Sequence, residues 1–305
     1  MLSIADLLIH PPLQNLVYPQ FSEVGLHVWV LRLDAMHAIL SGNKWLKLAP
    51  WLDTASAQQS VGIVAHGGPW SNFLHATAYA CQQVGLAFTA LVQAPPHTST
   101  ATLADIVAWG GQLVFEPAFN AQRQQHWGQW AAQNGHLYIP MGGDGPEGVQ
   151  GVAKAFNNWP HLQNFSQVWC ALGTGTTCLG IAASKLAFGQ LVGVNVGLNQ
   201  RHYLSLLATM AQQYPHRQFK ILDHPNLGRF GKMPAYLPPL MNNWAETHHL
   251  HTDAVYTAKA FYLLQQMAEA GSFEAGTRLL LIHTGGLQGN RSLPPGSLSY
   301  SWPAS

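Results

Sequence analysis

The sequence predicts an α/β fold with two open, mostly parallel sheets flanked by helices. Short apolar runs rich in β-branched residues alternate with helix-period segments from Val28 to Ile282. Several of these runs end in glycine-rich breaks: HGGP at 66–69, GGDGP at 142–146, GTGTT at 173–177 and HTGG at 283–286. The chain has 305 residues, enough for a large core and two subdomains.

Taken in order, Val28–Leu33 reads as a strand and Asp34–Ser41 as a loop. Gly42-Asn43-Lys44 leads into a helix over Trp45–Ala57. Val61–Ala65 is a buried strand. Ser71-Asn72 supplies the N-cap of the next helix, which runs to about residue 84. Strands follow at Phe88–Val92, Gln112–Phe115 and Leu137–Pro140, with helices between them at Thr100–Trp109 and Ala121–Asn134. Beyond the 142–146 break come a helix over Glu147–Trp159, a strand at Val168–Leu172 and a helix to about Phe188. The rest reads as a strand at Leu191–Val196, a helix at His202–Gln213 and a Gly/Pro-rich loop at Asp223–Leu240. Helices at Met241–His249 and Thr257–Glu269 and a last strand at Leu279–Ile282 complete it. The smaller domain is expected between residues 48 and 151, inserted into a larger one made of 1–47 and 152–305.

Composition narrows the function. Hydrophobic residues are 48% and charged ones only 9%, with net charge +1, so no basic face for nucleic acid is expected. No apolar run is long enough to span a bilayer. The N-terminus, MLSIADLLIHPPLQ, lacks a basic region and a small-residue cleavage site, which predicts no secretory signal. Cys81, Cys170 and Cys178 are odd in number and lack CxxC spacing. They suggest a reducing, cytoplasmic setting without disulfides or zinc.

Three groups of residues carry chemistry. Gly173, Thr174, Gly175, Thr176 and Thr177 end a strand at a helix start, where backbone N–H groups and hydroxyls can cradle a phosphate. There is no Walker lysine and no GxGxxG spacing, so a single phosphate monoester fits better than a triphosphate or dinucleotide. Lys44, at a helix start in an apolar setting, can act as an amine nucleophile; Lys47 and Lys259 compete for that role. Tyr256-Thr257 and His283-Thr284-Gly285-Gly286 lie where regular structure begins or ends, and offer a proton shuttle and a hydroxyl donor. Glu246, His248, His249 and His251 could suggest a metal, but adjacent histidines do not share a helix face, and no metal is expected.

Together, LRLDAMHAILSGNKWLKL, HGGPWSNFLHA, IPMGGDGPEGVQG, ALGTGTTCLG and DAVYTAK with IHTGGLQGN resemble one family in the same order, from Val28 to Arg291. It is the pyridoxal-phosphate (PLP) family of 1-aminocyclopropane-1-carboxylate (ACC) deaminase and D-cysteine desulfhydrase, with the tryptophan-synthase-β-like fold, type II. The resemblance implies PLP in the interdomain cleft, a small amino-acid substrate and a homodimer. It implies Lys44 as the Schiff-base lysine and α-proton base, Asn72 at the PLP 3-oxygen and Ser71 near the substrate carboxylate. Gly173–Thr177 would hold the phosphate, Tyr256 would face the substrate and Thr284 would bond the pyridine nitrogen. A hydroxyl there makes a weaker electron sink, which suits elimination. ACC-opening deaminases of the family carry Glu at the position of Thr257 and Leu at that of Thr284. The threonine pair resembles the desulfhydrase branch, which implies α,β-elimination from a small D-amino acid to pyruvate, ammonia and a thiol or sulfide. The alternatives are ACC deamination, or PLP binding with altered substrate and low turnover. Phe73, Phe230, Met141 and Leu46 depart from the family pattern, three of them replacing polar or charged side chains by apolar ones near the expected pocket.

Overall fold

In the computed structural model, residues 10–302 are described. The first nine residues, where the signal-segment expectation partly falls, lie outside them. Six strands form one sheet: β1 (Leu13–Leu16), β2 (His27–Arg32), β7 (Phe165–Leu172), β8 (Phe188–Asn195), β9 (Gln218–Leu222) and β10 (Arg278–His283), in the order β1-β2-β10-β7-β8-β9. Only the β1–β2 pair is antiparallel. The second sheet, all parallel, contains β3 (Gly62–Gly67), β4 (Ala87–Val92), β5 (Gln112–Phe115) and β6 (His136–Ile139), in the order β5-β4-β3-β6. The helices are α1 (Pro19–Glu23), α2 (Asn43–Ala57), α3 (Asn72–Val84), α4 (Ala101–Ala108), α5 (Ala121–Gln133) and α6 (Pro146–Asn157). They continue with α7 (Thr176–Ala183), α8 (Gln200–Gln213), α9 (Leu237–His248) and α10 (Thr257–Glu269).

The central strands follow from their composition. All six residues of β3 are buried, and β7, β8 and β10 each end in five consecutive buried residues. Both faces of such strands are covered by helices, so no polar alternation is needed. The strands that the sequence did not reveal are the two edges of the large sheet. β1 (LQNL) and β9 (QFKIL) are short, half-exposed and interrupted by polar residues, and carry little period-2 signal. Two helices also differ from expectation. α7 stops at Ala183 rather than near 188, because Ser184 is already extended and β8 begins at Phe188. α9 begins at Leu237, since two of the prolines read as loop signals sit in its first turn, where a missing N–H costs nothing.

The α2–α6 crossing is unusually close and has a sequence cause. Pro50 lies inside α2 and cannot donate to the Leu46 carbonyl. Gly151 of α6 packs onto that freed oxygen; a Cβ at Gly151 would stand 2.1 Å from it and 2.7 Å from the Pro50 ring. Gly151→Ala should therefore force the helices apart. We expect a loss of about 2–3 kcal/mol, read as a lower urea midpoint at unchanged slope.

Candidate active site

The turns at the carboxyl ends of β7 and β10 converge with the start of α2 on one cleft. Parallel α/β sheets place their ligands at such strand ends. Gly42 makes the convergence possible. Its φ of +76° and missing side chain let it lie against Thr284; a Cβ there would be 2.1 Å from the Thr284 carbonyl. The Asn43 N–H donates to the same carbonyl at 3.2 Å. The cleft is narrow, about 50 Å³, and Lys44, Lys47, Gly173, Thr174, Tyr256 and Thr284 are among the residues around it. Gly175, Thr177 and Asn43 complete its polar side.

Lys44 projects from the first turn of α2, with its amine 5.6 Å from the Tyr256 ring centroid. The amine donates to the Asn43 side-chain oxygen. Loss of water around it lowers its pKa to about 7; the neighbouring Lys47 ammonium acts in the same direction and Asp253 opposes. Near neutrality a large share of this amine is therefore uncharged and nucleophilic. Lys259, one of the competing lysines, is fully buried elsewhere. Its amine donates to the Val196 and Arg229 carbonyls at 3.0 and 2.9 Å, which ties down the loop carrying Phe230.

The Gly173–Thr177 turn has the form expected of an anion cradle. Gly175 is left-handed at φ +89° and opens α7, whose first-turn N–H groups have no partner within the helix. The Thr174 and Thr176 hydroxyls are 2.7 Å apart, and Thr176 donates to Asp144 at 2.6 Å. The Asn43 amide donates to the Thr177 hydroxyl at 2.8 Å. Lys47, read from sequence as a rival nucleophile, instead reaches this turn: its amine lies 3.5 Å from the Thr174 hydroxyl. Burial lowers its pKa to about 8, partly offset by Asp144. An ammonium beside a cradle of N–H and O–H donors suits a dianionic phosphate. Thr176 is fully buried and its side chain turns to Asp144, so it supports the cradle from behind.

Tyr256 is held by an element that the sequence reading passed over. The buried Asp253 carboxylate accepts the N–H groups of Val255, Tyr256 and Thr257 at 2.8–3.0 Å and so fixes the turn that leads into α10. Burial and the Asp253 charge push the Tyr256 phenol well above its ordinary pKa, so it stays protonated. The Thr257 hydroxyl is buried with no hydrogen-bond partner among the described residues. His283 orients the following turn: its Nε2 donates to the His251 carbonyl at 2.6 Å, and its Nδ1 accepts from the Gly285 N–H at 3.2 Å.

Ser71 and Asn72, expected at the site, are not among the residues that line this cleft. Ser71 caps α3 through its hydroxyl, which accepts from the Leu74 N–H at 3.2 Å. Asn72 lies against Gly286, two residues past Thr284; a Cβ at Gly286 would come within 2.8 Å of its Nδ2. The expectation of three apolar replacements near the pocket needs correction. Phe73 is 1% exposed and packs in the core under the small sheet, its ring edge over Gly143. Leu46 is buried in the large-sheet core, and Met141 is exposed. Phe230 meets a site residue, with its ring edge-on to Tyr256 at 5.8 Å. Position after an N-cap could not reveal which helix face Phe73 takes. Asn43, Asp253 and Gln288 were the contributors missed, and Lys47 was expected in another role; each is a polar residue whose burial only the fold discloses.

Two unequal, mostly parallel sheets with these turns at their carboxyl ends define the type II fold of PLP-dependent enzymes. A crystal structure titled as the ACC deaminase homologue superposes with a TM-score of 0.77 at 24% identity, covering 93% of this chain and 91% of that one. In sequence, the chain is 25% identical over 295 residues to a Pyrococcus horikoshii protein named "Putative 1-aminocyclopropane-1-carboxylate deaminase", covering 91% of this chain and 90% of that protein. It is 24% identical over 314 residues to the mitochondrial bifunctional D-cysteine desulfhydrase/1-aminocyclopropane-1-carboxylate deaminase of Arabidopsis thaliana, covering 87% and 73%. No protein-family model matches the chain. Among the described residues, no helix is long and apolar enough to cross a membrane, and no cluster of three metal-ligating side chains occurs.

Proposed function

We propose that this chain is a PLP-dependent lyase that eliminates the β-substituent of a small D-amino acid, in the manner of a D-cysteine desulfhydrase. The observation that carries the reading is one cleft holding an amine of pKa about 7, a Gly-Thr phosphate cradle with Lys47, and Tyr256. The donor set fits the cofactor. Lys44 would hold its aldehyde carbon, Gly173–Thr177 and Lys47 its phosphate, Asn72 its 3-oxygen and Thr284 its ring nitrogen. Because the cleft is narrow, Lys44 must first leave the Asn43 side chain.

Bound PLP supplies the electron sink that makes the substrate α-proton acidic. Lys44 removes that proton. Ser71 and the first N–H groups of α3 receive the substrate carboxylate, where a helix N-terminus favours an anion. Tyr256, protonated across the neutral range, donates to the departing sulfur. Loss of sulfide from D-cysteine leaves 2-aminoacrylate, and water converts this to pyruvate and ammonia. The division at residues 48 and 151 would let the smaller domain close over this cleft, and the active form is proposed to be a cytoplasmic homodimer.

Two observations favour other readings. The relatives' names favour ACC deamination, against which stands Thr257 where deaminases carry Glu. The contact of Phe230 with Tyr256 favours an altered substrate with slow turnover. The test is to load the protein with PLP, record its visible spectrum and add D-cysteine or ACC in parallel. A visible band with pyruvate from D-cysteine supports the proposal. Ammonia with 2-oxobutyrate from ACC replaces it by the deaminase reading. A band that shifts with either amino acid while no product forms favours the low-turnover reading.

A further inference from the structure

Gln288 lies in the 3-10 turn Leu287–Ser292 after β10 and reaches across to the helices of the small sheet. Its amide is held at both ends. Oε1 accepts from the Thr102 hydroxyl at 2.6 Å and from Arg291 Nη2 at 3.1 Å. Nε2 donates to Asn72 Oδ1 at 2.5 Å and faces the Trp70 carbonyl at 3.4 Å. The direction of every bond is forced. A guanidinium only donates, so the amide end facing Arg291 must be the oxygen. A carbonyl only accepts, so the end facing Trp70 must be the NH₂. Asn72 must then present its oxygen to Gln288, which turns its own NH₂ away, onto Gly286. The φ of +95° at Gly286 suits glycine, and a Cβ there would come within 2.8 Å of that nitrogen.

Arg291 is itself fixed. Its Nη2 donates to Asp105 at 2.6 Å, its Nε donates to the Gln288 carbonyl at 3.2 Å, and its guanidinium lies 4.7 Å from the Trp302 ring centroid. Asp105 also meets His75 Nε2 at 3.0 Å. The chain of contacts thus runs from a residue that can only donate to the residue proposed to meet the cofactor.

We propose that Gln288, oriented by Arg291 and Thr102, is a positioning residue that makes Asn72 a hydrogen-bond donor toward the PLP 3-oxygen and so favours that oxygen's anionic form. The inference rests on the functional reading above, in which Asn72 meets this oxygen. An N–H directed at the oxygen stabilises the anion; a reversed amide would present a carbonyl and favour the protonated form. The relay joins the turn after β10 to α3 and α4.

Gln288→Glu tests it, because a carboxylate is nearly isosteric but cannot donate to Asn72. Wild-type and Q288E proteins are loaded with PLP and their visible spectra are titrated with pH. In Q288E the longer-wavelength visible band should lose intensity at a given pH, and its titration midpoint should rise by about one pH unit. Gln288→Met, which removes both amide ends at similar volume, should shift the midpoint the same way but less. Variants that fold, judged by Tm, and titrate like the wild type overturn the relay alone. Failure of both variants to fold makes Gln288 merely structural and also overturns it. A wild-type protein that takes up no PLP overturns the functional reading and the relay with it, and is seen before any variant is made.

Discussion

Lys44→Ala should abolish the visible band of the PLP-loaded protein and lower elimination by about 10³-fold or more, because in the proposed function one amine would both anchor the cofactor and move the α-proton. Lys47→Ala is the comparison. It should keep the band while weakening PLP affinity, since Lys47 sits at the Thr174 hydroxyl rather than beside Tyr256. The pH dependence discriminates further. With a pKa near 7, against 10.5 for an ordinary lysine, the rate of PLP uptake should rise about tenfold per unit below pH 7 and level off above it. An ordinary lysine would keep accelerating to pH 10. Stability follows the same shift. Between about 7 and 10.5 the unfolded chain binds a proton at this site that the folded protein does not, so PLP-free protein gains stability as pH rises. Lys44→Ala should flatten that slope. A stopped-flow uptake profile and urea midpoints across pH 6–10 check both. A persisting band in Lys44→Ala would remove Lys44 from the proposed chemistry.

Much of this site could be read in the sequence because its parts are punctuation. Glycines and threonines after buried strands mark turns whose backbone is free to bind, and SGNK, GTGTT and HTGG all fall at the cleft. Edge strands β1 and β9 were not legible, since half-exposed residues carry no clear period. Nor was the role of buried polar side chains. Nothing local tells that Lys47, three residues after Lys44, reaches Thr174 of the GTGTT turn, that Asp253 holds the N–H groups of Val255, Tyr256 and Thr257, or that Gln288 reaches Asn72. These contacts link residues up to 216 positions apart, and a sequence displays only neighbours. Phe73 shows the converse. It follows an active-site-like Ser-Asn pair and yet points into the core, because the helix rotates successive side chains by about 100°.

Gly42→Ala should be among the most damaging single substitutions outside the reactive side chains. Two effects combine at this position. A φ of +76° with ψ −165° is a conformation open essentially to glycine, and strains any residue with a Cβ by about 1–3 kcal/mol. The Cβ would also stand 2.1 Å from the Thr284 carbonyl oxygen and 2.8 Å from the Gly285 Cα, both main-chain atoms that no rotamer change can move. Relief requires the start of α2 and the turn after β10 to separate, which pulls Lys44 from Thr284 and breaks the Asn43–Thr284 hydrogen bond. We expect a loss of about 4 kcal/mol in stability and a large drop in PLP affinity, since Lys44 and Thr284, the two proposed anchors of the cofactor, would no longer share one geometry. Gly271→Ala is the comparison for a positive φ without the clash: its φ is +65°, and a Cβ there meets open space. That variant should cost only the strain of about 1 kcal/mol and leave PLP binding intact. Urea midpoints and PLP titrations of the two variants make the comparison. Equal losses would mean that the Gly42–Thr284 approach contributes nothing and that the cleft is held together elsewhere.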